Sequence, residues 1–381
     1  MIKFRKDSNS LQTKENIENG GKQMYDLNEI CSHFKTTATA EPYGNGHIND
    51  TYLCHGRPDV ILQRINTDIF KNPDGVMENI RAVTKHVRKK YDELGNTDER
   101  ATLTVIETKE GGCIHRTEDG SCFRMYAFIK DSIGIDFPDN NDQLFEAGKA
   151  FGTFQRMLDD FPADTLFECI PNFHNTPIRV QNLKNAAQKD VKGRLAEVQK
   201  EYETAIELSK YASKVTDGIA DGSIPLRVTH NDTKLNNVLF DINTMKALCV
   251  IDLDTVMPGS ILYDFGDALR FCATDAVEDE TDLSRVKFNL DKFAAFAGGF
   301  LPAVGDCLTE KEVEFLPLSA FLMTYECGIR FLTDYLEGDT YFKIHREKHN
   351  LDRARNQLAL ALDMEKNFDK MQETVKKILN K

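Results

Sequence analysis

The chain contains no tryptophan, only 11 prolines in 381 residues, and no stretch apolar enough to cross a bilayer. Its most apolar segment, Phe293 to Gly305, is too short, is interrupted by Pro302 and is bracketed by Lys292 and Asp306, so a membrane span is excluded. Positive charge is also in deficit: 48 Lys and Arg stand against 61 Asp and Glu, a net of −13. A general nucleic-acid binder needs a cationic footprint against phosphate, and that class is disfavoured. The nine cysteines are scattered, none closer than Cys113 and Cys122. An odd number without CxxC spacing argues against a disulfide framework or a zinc site, and for reduced thiols. The opening run MIKFRKDSNSLQ lacks the apolar region of a secretory signal. What remains is an acidic globular chain, expected in the cytoplasm, long enough for two or three domains or one two-lobed unit.

Residues 1–24 are polar and aperiodic and are expected to form a disordered extension, with Met24 as an alternative start. From Phe34 to Ile129 the texture is β-rich. TATAEPY, DTYLCH, VILQRI, ATLTVIET and SCFRMYAFI read as short strands. One helix is expected over 72–94, with Val76, Ile80, Val83 and Val87 at helical spacing. Helices dominate from Asp142 onward: one over 142–161, a charged one over about 180–215, and a long amphipathic one over 351–381. The last is read as packing on its own domain. A hairpin-like island, Val228 to Thr255, interrupts them. The expected class is α+β, with a small β-rich N-lobe over 34–129 and a large, mainly helical C-lobe over 130–381.

The island carries the strongest chemical signal. His230, Asp232 and Asn237 fit HxDxxxxN, and Asp252 ends the apolar strand that returns the chain beside them. Phosphoryl transfer needs a carboxylate to orient or deprotonate the attacking hydroxyl, together with oxygen ligands for Mg²⁺. Asp232 has the position of that carboxylate, and Asn237 and Asp252 those of the ligands. Lys234, between them, offers an ammonium to a transferring phosphoryl group. The bland alternative is that Asp and Asn merely cap turns. The second Asp at hairpin distance favours the functional reading.

A kinase of this kind should also carry a glycine loop, a strand cation and a helical acid upstream. Gly44-Asn45-Gly46-His47 lies between two strand-like runs, where glycine lets backbone N–H groups approach phosphate. Arg64 ends the next strand, in place of the usual Lys, and Glu78 follows on the expected helix.

In THNDTKLNNVLFD, VIDLDTVMPGSILYDFGDALR and YGNGHINDTY the chain resembles the aminoglycoside-phosphotransferase-like kinase superfamily. In GHINDTY, VILQRIN, IPNFHNTPIR and DLDTVMPGS it resembles more closely the N-acetylhexosamine 1-kinase branch. The resemblance implies a two-lobed protein-kinase-like fold with ATP and Mg²⁺ at the cleft, and phosphorylation of the anomeric hydroxyl of GlcNAc or GalNAc. It implies that Asp232 faces the sugar O1, that Asn237 and Asp252 bind Mg²⁺, and that Gly44, Gly46 and His47 lie over the phosphates. Arg64 and Glu78 would form the phosphate-positioning pair. Tyr126 to Ile129, including Phe128, would be the hinge against adenine. Thr255, Arg330 and Tyr341 are similar to residues lining the sugar pocket. The partners expected are ATP and a small sugar, not nucleic acid or membrane, for a chain acting as a monomer. Alternatives are a kinase of another sugar, an amino alcohol or an aminoglycoside, or a nucleotide-binding pseudokinase scaffold.

Several features are given plainer readings. Asp254 is expected to cap the turn after the metal Asp, the alternative being an approach to a second metal or the substrate, and Asp264 and Asp267 to buttress the loop. His345 and His349 are read as a solvated helix face, not a metal pair. His174 is either a satisfied loop histidine or a residue reaching the sugar.

Overall fold

The computed structural model describes residues 25–36, 38–43 and 48–380; the extension expected over 1–24 and the turn residues Gly44, Gly46 and His47 lie outside them. A short helix, α1 (Leu27–Ser32), precedes the first strand, capped by the Asp26 carboxylate. Strands β1 (Ala38–Pro42), β2 (Asp50–Gly56) and β3 (Val60–Ile65) then form an antiparallel meander. Helix α2 (Pro73–Glu93) starts where the Asn72 side chain accepts from the Gly75 N–H and Pro73 pre-sets the first turn. Strands β4 (His115–Arg116) and β5 (Cys122–Ala127) complete a five-stranded sheet in the order β1-β2-β3-β5-β4. The strand expected over 101–108 is not regular. Only Thr104 and Ile106 bond across to β5, because the segment's ends are drawn into a 3-10 turn at Glu99–Ala101 and the Thr108–Gly112 turn.

Both faces of this sheet are covered. Val60 and Leu62 pack under α1 with Ile30, Cys31, Phe34, Phe123 and Met125, whereas Ile65 packs on α2 with Val76 and Ile80. Since side chains alternate along a strand, Ile61, Gln63 and Ile65 share one face and Val60, Leu62 and Arg64 the other.

The large lobe opens with β6 (Ser132–Gly134) and α3 (Asn141–Met157). In place of one charged helix over 180–215 there are three, α4 (Thr176–Lys189), α5 (Gln199–Leu208) and α6 (Lys214–Ala220). Asp190 (φ 36°) and Gly193 (φ 64°) take left-handed conformations that end the first of them. Strands β7 (Arg227–Thr229), β8 (Val238–Asp241), β9 (Ala247–Val250) and β10 (Met257–Gly259) follow. They form a β6-β8-β9 sheet and a β7-β10 pair. Helices α7 (Ile261–Cys272), α8 (Leu290–Val304) and α9 (Glu310–Glu337) build the core. The C-terminal segment is two helices rather than one, α10 (His349–Glu365) and α11 (Phe368–Leu379). At the break the Asn367 amide turns back onto the Asp363 carbonyl, 2.8 Å away, a local bond that competes with helix continuation.

Helices α3 and α8 meet backbone to backbone. A Cβ on Gly148 would lie 2.1 Å from the Phe296 carbonyl oxygen, and one on Gly299 1.9 Å from that of Phe145. Only glycine allows this approach, which fixes the helix that carries Gln155 towards the centre of the molecule. Among the described residues no helix is long and apolar enough to cross a membrane.

Candidate active site

A cleft of about 1420 Å³ separates the lobes. Ile61, Gln63, Arg124 and Tyr126 line its N-lobe wall, and Asp232, Lys234, Asn237 and Asp252 its C-lobe floor. The floor is built by a short stretch of chain. Strand β7 delivers His230 to Asp232, the β8–β9 hairpin turns the chain round, and Asp252 emerges beside its start. Asn231 (φ 64°) and Asp252 (φ 60°) both adopt left-handed backbone, which Asn and Asp tolerate better than other side chains bearing a Cβ. His230 ties the two arms together. Its Nδ1 accepts from the Asp232 N–H at 3.2 Å and its Nε2 donates to the Ile251 carbonyl at 2.8 Å, which sets the ring proton on Nε2.

Lys234 Nζ lies 2.9 Å from Asp232 Oδ1 and 3.2 Å from Oδ2. Asn237 Nδ2 donates to the Asp232 carbonyl at 2.7 Å and to its Oδ2 at 3.2 Å, leaving the amide oxygen as the atom able to coordinate a cation. Burial works to raise the Asp232 carboxyl, but the Lys234 ammonium together with His230 and the Asn237 amide outweighs it and the net shift is downward, so Asp232 is ionised at neutral pH. Asp252 is pushed up to about 6, first by burial and then by the neighbouring Asp254 and Asp232. A divalent cation bound at Asp252 would relieve the repulsion it meets there from the neighbouring Asp254 and Asp232.

The loop hangs on buried acids of α7. Asp264 Oδ2 accepts from the His230 N–H at 2.9 Å and from Gln155 Nε2 at 2.6 Å, while Oδ1 accepts from the Asn231 N–H at 2.7 Å. Asp267 accepts from the Thr233 N–H at 3.0 Å. Both acids hold backbone, and neither reaches the cleft floor as a reacting group.

Of the residues expected from the sequence, Asp232, Lys234, Asn237, Asp252, Tyr126 and Phe128 are gathered on this cleft. The Arg64–Glu78 pair is not formed. Arg64 lies on the α1 face of β3, stacks 5.8 Å over Tyr25 and pairs with Asp50 at 2.6 Å. Glu78 lines a separate depression of about 270 Å³ on the outer side of α2, with Asp74, Arg81 and Arg116. Strand parity is the reason: the residue of β3 facing the cleft is Gln63. Thr255, Arg330 and Tyr341 lie off the cleft lining, on the other flank of the loop. Thr255 Oγ1 donates to the His230 carbonyl at 2.6 Å. Arg330 stands 5.5 Å over Phe342 and 6.0 Å over Tyr341, four residues after Glu326 on α9. Glu326 holds His174 Nδ1 at 3.0 Å, and His174 Nε2 reaches the Asn231 carbonyl at 3.3 Å, making His174 a buried histidine satisfied on both sides.

Two plainer readings need correction. Asp254 does not simply cap a turn: it is buried, ion-paired with Arg124, and accepts from Asn49 Nδ2 at 2.7 Å. His345 and His349 are not a solvated helix face. His345 precedes α10, and His349 is buried and bonded to Asp279 at 3.1 Å. Arg124 and Gln63 line the cleft without having been expected from the sequence. Alternation along SCFRMYAFI from the hinge residue Tyr126 would have placed Arg124 on the same cleft-facing side of β5.

Residues 39–297 match the phosphotransferase enzyme family, more than half of the chain. Among solved structures, a microcompartment-associated aminopropanol kinase aligns with a TM-score of 0.61 at 14% identity, covering 91% of this chain and 98% of its own. An amicoumacin kinase in complex with AMP-PNP and Ca²⁺ aligns at 0.58 and 12% identity, covering 88% and 93%. An aminoglycoside phosphotransferase from Alicyclobacillus acidocaldarius aligns at 0.59 and 11% identity, covering 95% and 99%. The chain belongs to the phosphotransferase enzyme family, and its fold is kinase-like, with an antiparallel N-lobe sheet and a helical C-lobe.

Proposed function

We propose that the chain transfers the γ-phosphoryl group of ATP to the anomeric hydroxyl of an N-acetylhexosamine, giving the 1-phosphate. The observation that carries the kinase reading is the convergence of Asp232, Lys234, Asn237 and Asp252 on the cleft floor. The sugar reading is supported by the acceptor side. Of the carboxylates lining the cleft near Arg270, Glu278 is ion-paired with Arg270 at 2.6 Å and Asp279 lies 3.7 Å from Arg346, so their charge is already met by a cation. A neutral, hydroxyl-rich acceptor suits such a wall.

The Asn237 amide oxygen and the Asp252 carboxylate would hold Mg²⁺, which when bound would offset charge on the nucleotide phosphates. Among the described residues no group of three His, Cys, Asp or Glu side chains is placed to hold a metal alone, so phosphate and water would complete the shell. Asp232 accepts a hydrogen bond from the attacking hydroxyl and aligns it. Lys234 keeps that carboxylate ionised and a weak base, which suits an anomeric hydroxyl, more acidic than an ordinary alcohol. Most of the rate then comes from placement and fixed charge.

The test is ³¹P NMR of products formed from ATP, Mg²⁺ and a panel of hexosamines, aminopropanol and an aminoglycoside. The expected product is a sugar phosphate whose ³¹P signal couples to H1. Phosphate only at O6, or turnover of the amines alone, would refute the 1-kinase reading.

A further inference from the structure

We propose that Arg124 of β5 is the cation with which the N-lobe grips the nucleotide polyphosphate, held ready by Gln63 and by Asp254 of the metal loop. The proposal rests on the kinase reading above and identifies how its nucleotide is held.

The N-lobe wall of the cleft carries one cation among its described lining residues, Arg124. The cleft-facing residue of β3 is the neutral Gln63, and Arg64 is committed to Asp50 on the opposite face. Gln63 and Arg124 are directly opposed in the β3–β5 ladder, so the guanidinium leaves the sheet beside the point where β3 presents its own side chain. On the facing lobe, Lys234 is bound to Asp232, while Arg270 is bound to Asp267 and Glu278 and stacked 3.7 Å over Phe271.

Arg124 is aimed by its neighbours. Its Nε donates to Gln63 Oε1 at 3.0 Å, and its Nη1 binds Asp254 Oδ1 and approaches the Met77 sulfur at 3.9 Å. Among the described residues none accepts from Nη2, and the side chain, only 2% exposed, lies in the wall of the cleft. A guanidinium has five N–H donors in a planar fork; with Nε on Gln63 and Nη1 on Asp254, the Nη2 hydrogens remain to take phosphate oxygen. Packing alone does not account for the pair, because a buried ion pair adds little net stability over apolar residues of the same volume.

The arrangement alters how the site is coupled. In the usual kinase clamp the acid that steadies the phosphate cation comes from the N-lobe helix. Here it comes from Asp254, two residues beyond the metal Asp, and Asn49 at the start of β2 holds its second oxygen at 2.7 Å. Phosphate grip and metal loop are thereby joined directly, and Glu78 of α2 is left outside the cleft.

The experiment measures Kd of the full chain for Mg·ATP and Mg·ADP by calorimetry, and for adenosine by NMR titration. The double variant R124Q/D254N removes both charges together, so neither is buried alone. It should keep the native thermal transition and lose about 10- to 100-fold in affinity for Mg·ATP and Mg·ADP, with adenosine unchanged. Q63K/R124Q, which returns a cation to β3 with Asp254 still present, should recover most of the loss. A folded R124Q/D254N that binds Mg·ADP as tightly as the native chain, or loses adenosine equally, would make the pair a structural latch and overturn the proposal. Native protein that binds no magnesium nucleotide would overturn the kinase reading itself, and this proposal with it.

Discussion

Replacing Asp264 by Asn tests whether the catalytic loop is held from behind. The carboxylate serves three donors, the His230 and Asn231 N–H groups and Gln155 Nε2, at 2.6 to 2.9 Å. An amide has one oxygen. In its better orientation it keeps His230 and Gln155 and turns its NH₂ on the Asn231 N–H, leaving that buried donor without an acceptor. Such a group costs about 1–3 kcal/mol, and the two surviving bonds each lose about 1 kcal/mol of charge assistance. Against this, burial already raises the Asp264 carboxyl, so a neutral side chain recovers part of the desolvation cost. The net is a loss of about 1–3 kcal/mol. It falls on Asn231, already in left-handed backbone and adjacent to Asp232. If the whole loss appears in the transition state, kcat drops about 5- to 160-fold. Asp264→Ala, which strands all three donors, should cost more in both respects. Urea denaturation together with steady-state kinetics of both variants is the assay. An Asp264→Ala chain with native stability and native kcat would refute the buttress.

Asp232→Asn should nearly abolish turnover while Mg·ATP binding by calorimetry stays within a fewfold of native; retention of full rate would remove Asp232 from the chemistry. Gly148→Ala forces a Cβ to 2.1 Å from the Phe296 carbonyl and should destabilise by at least the upper end of the ~1–3 kcal/mol usual for overpacking, read as a lowered denaturation midpoint. Asp119 is pushed from its ordinary 3.8 down to about 2, chiefly by the Thr117 hydroxyl and then by Ser121 and Tyr25. A depressed acid contributes stability that is present above its ordinary value and lost as pH falls through about 2. A carboxyl NMR titration should find that midpoint, and Tyr25→Phe should move it upward.

The parts legible in the sequence are those made by nearby residues. Asp232, Asn237 and Asp252 sit on one turn and one hairpin, so spacing alone brings them together. The C-terminal helix was legible as an apolar repeat but not as two helices, because a single Asn at 367 redirects the chain without changing the period. The 180–215 region misled for a related reason. Its charged composition favours helix throughout, and the breaks at Asp190 and Gly193 are local backbone events.

What the sequence by itself determined is the local chemistry: an ionisable loop acid, its lysine, and two oxygen donors at hairpin distance. What only the tertiary structure decided is which cation faces them. VILQRI is apolar on both faces because α1 covers one side of the sheet and α2 the other, so its pattern carries no inside and outside. A shift of one residue exchanges Arg64 for Gln63, and that parity is set by packing across the sheet. The meeting of Arg124 with Asp254, 130 positions apart, exists only once the lobes have closed on each other.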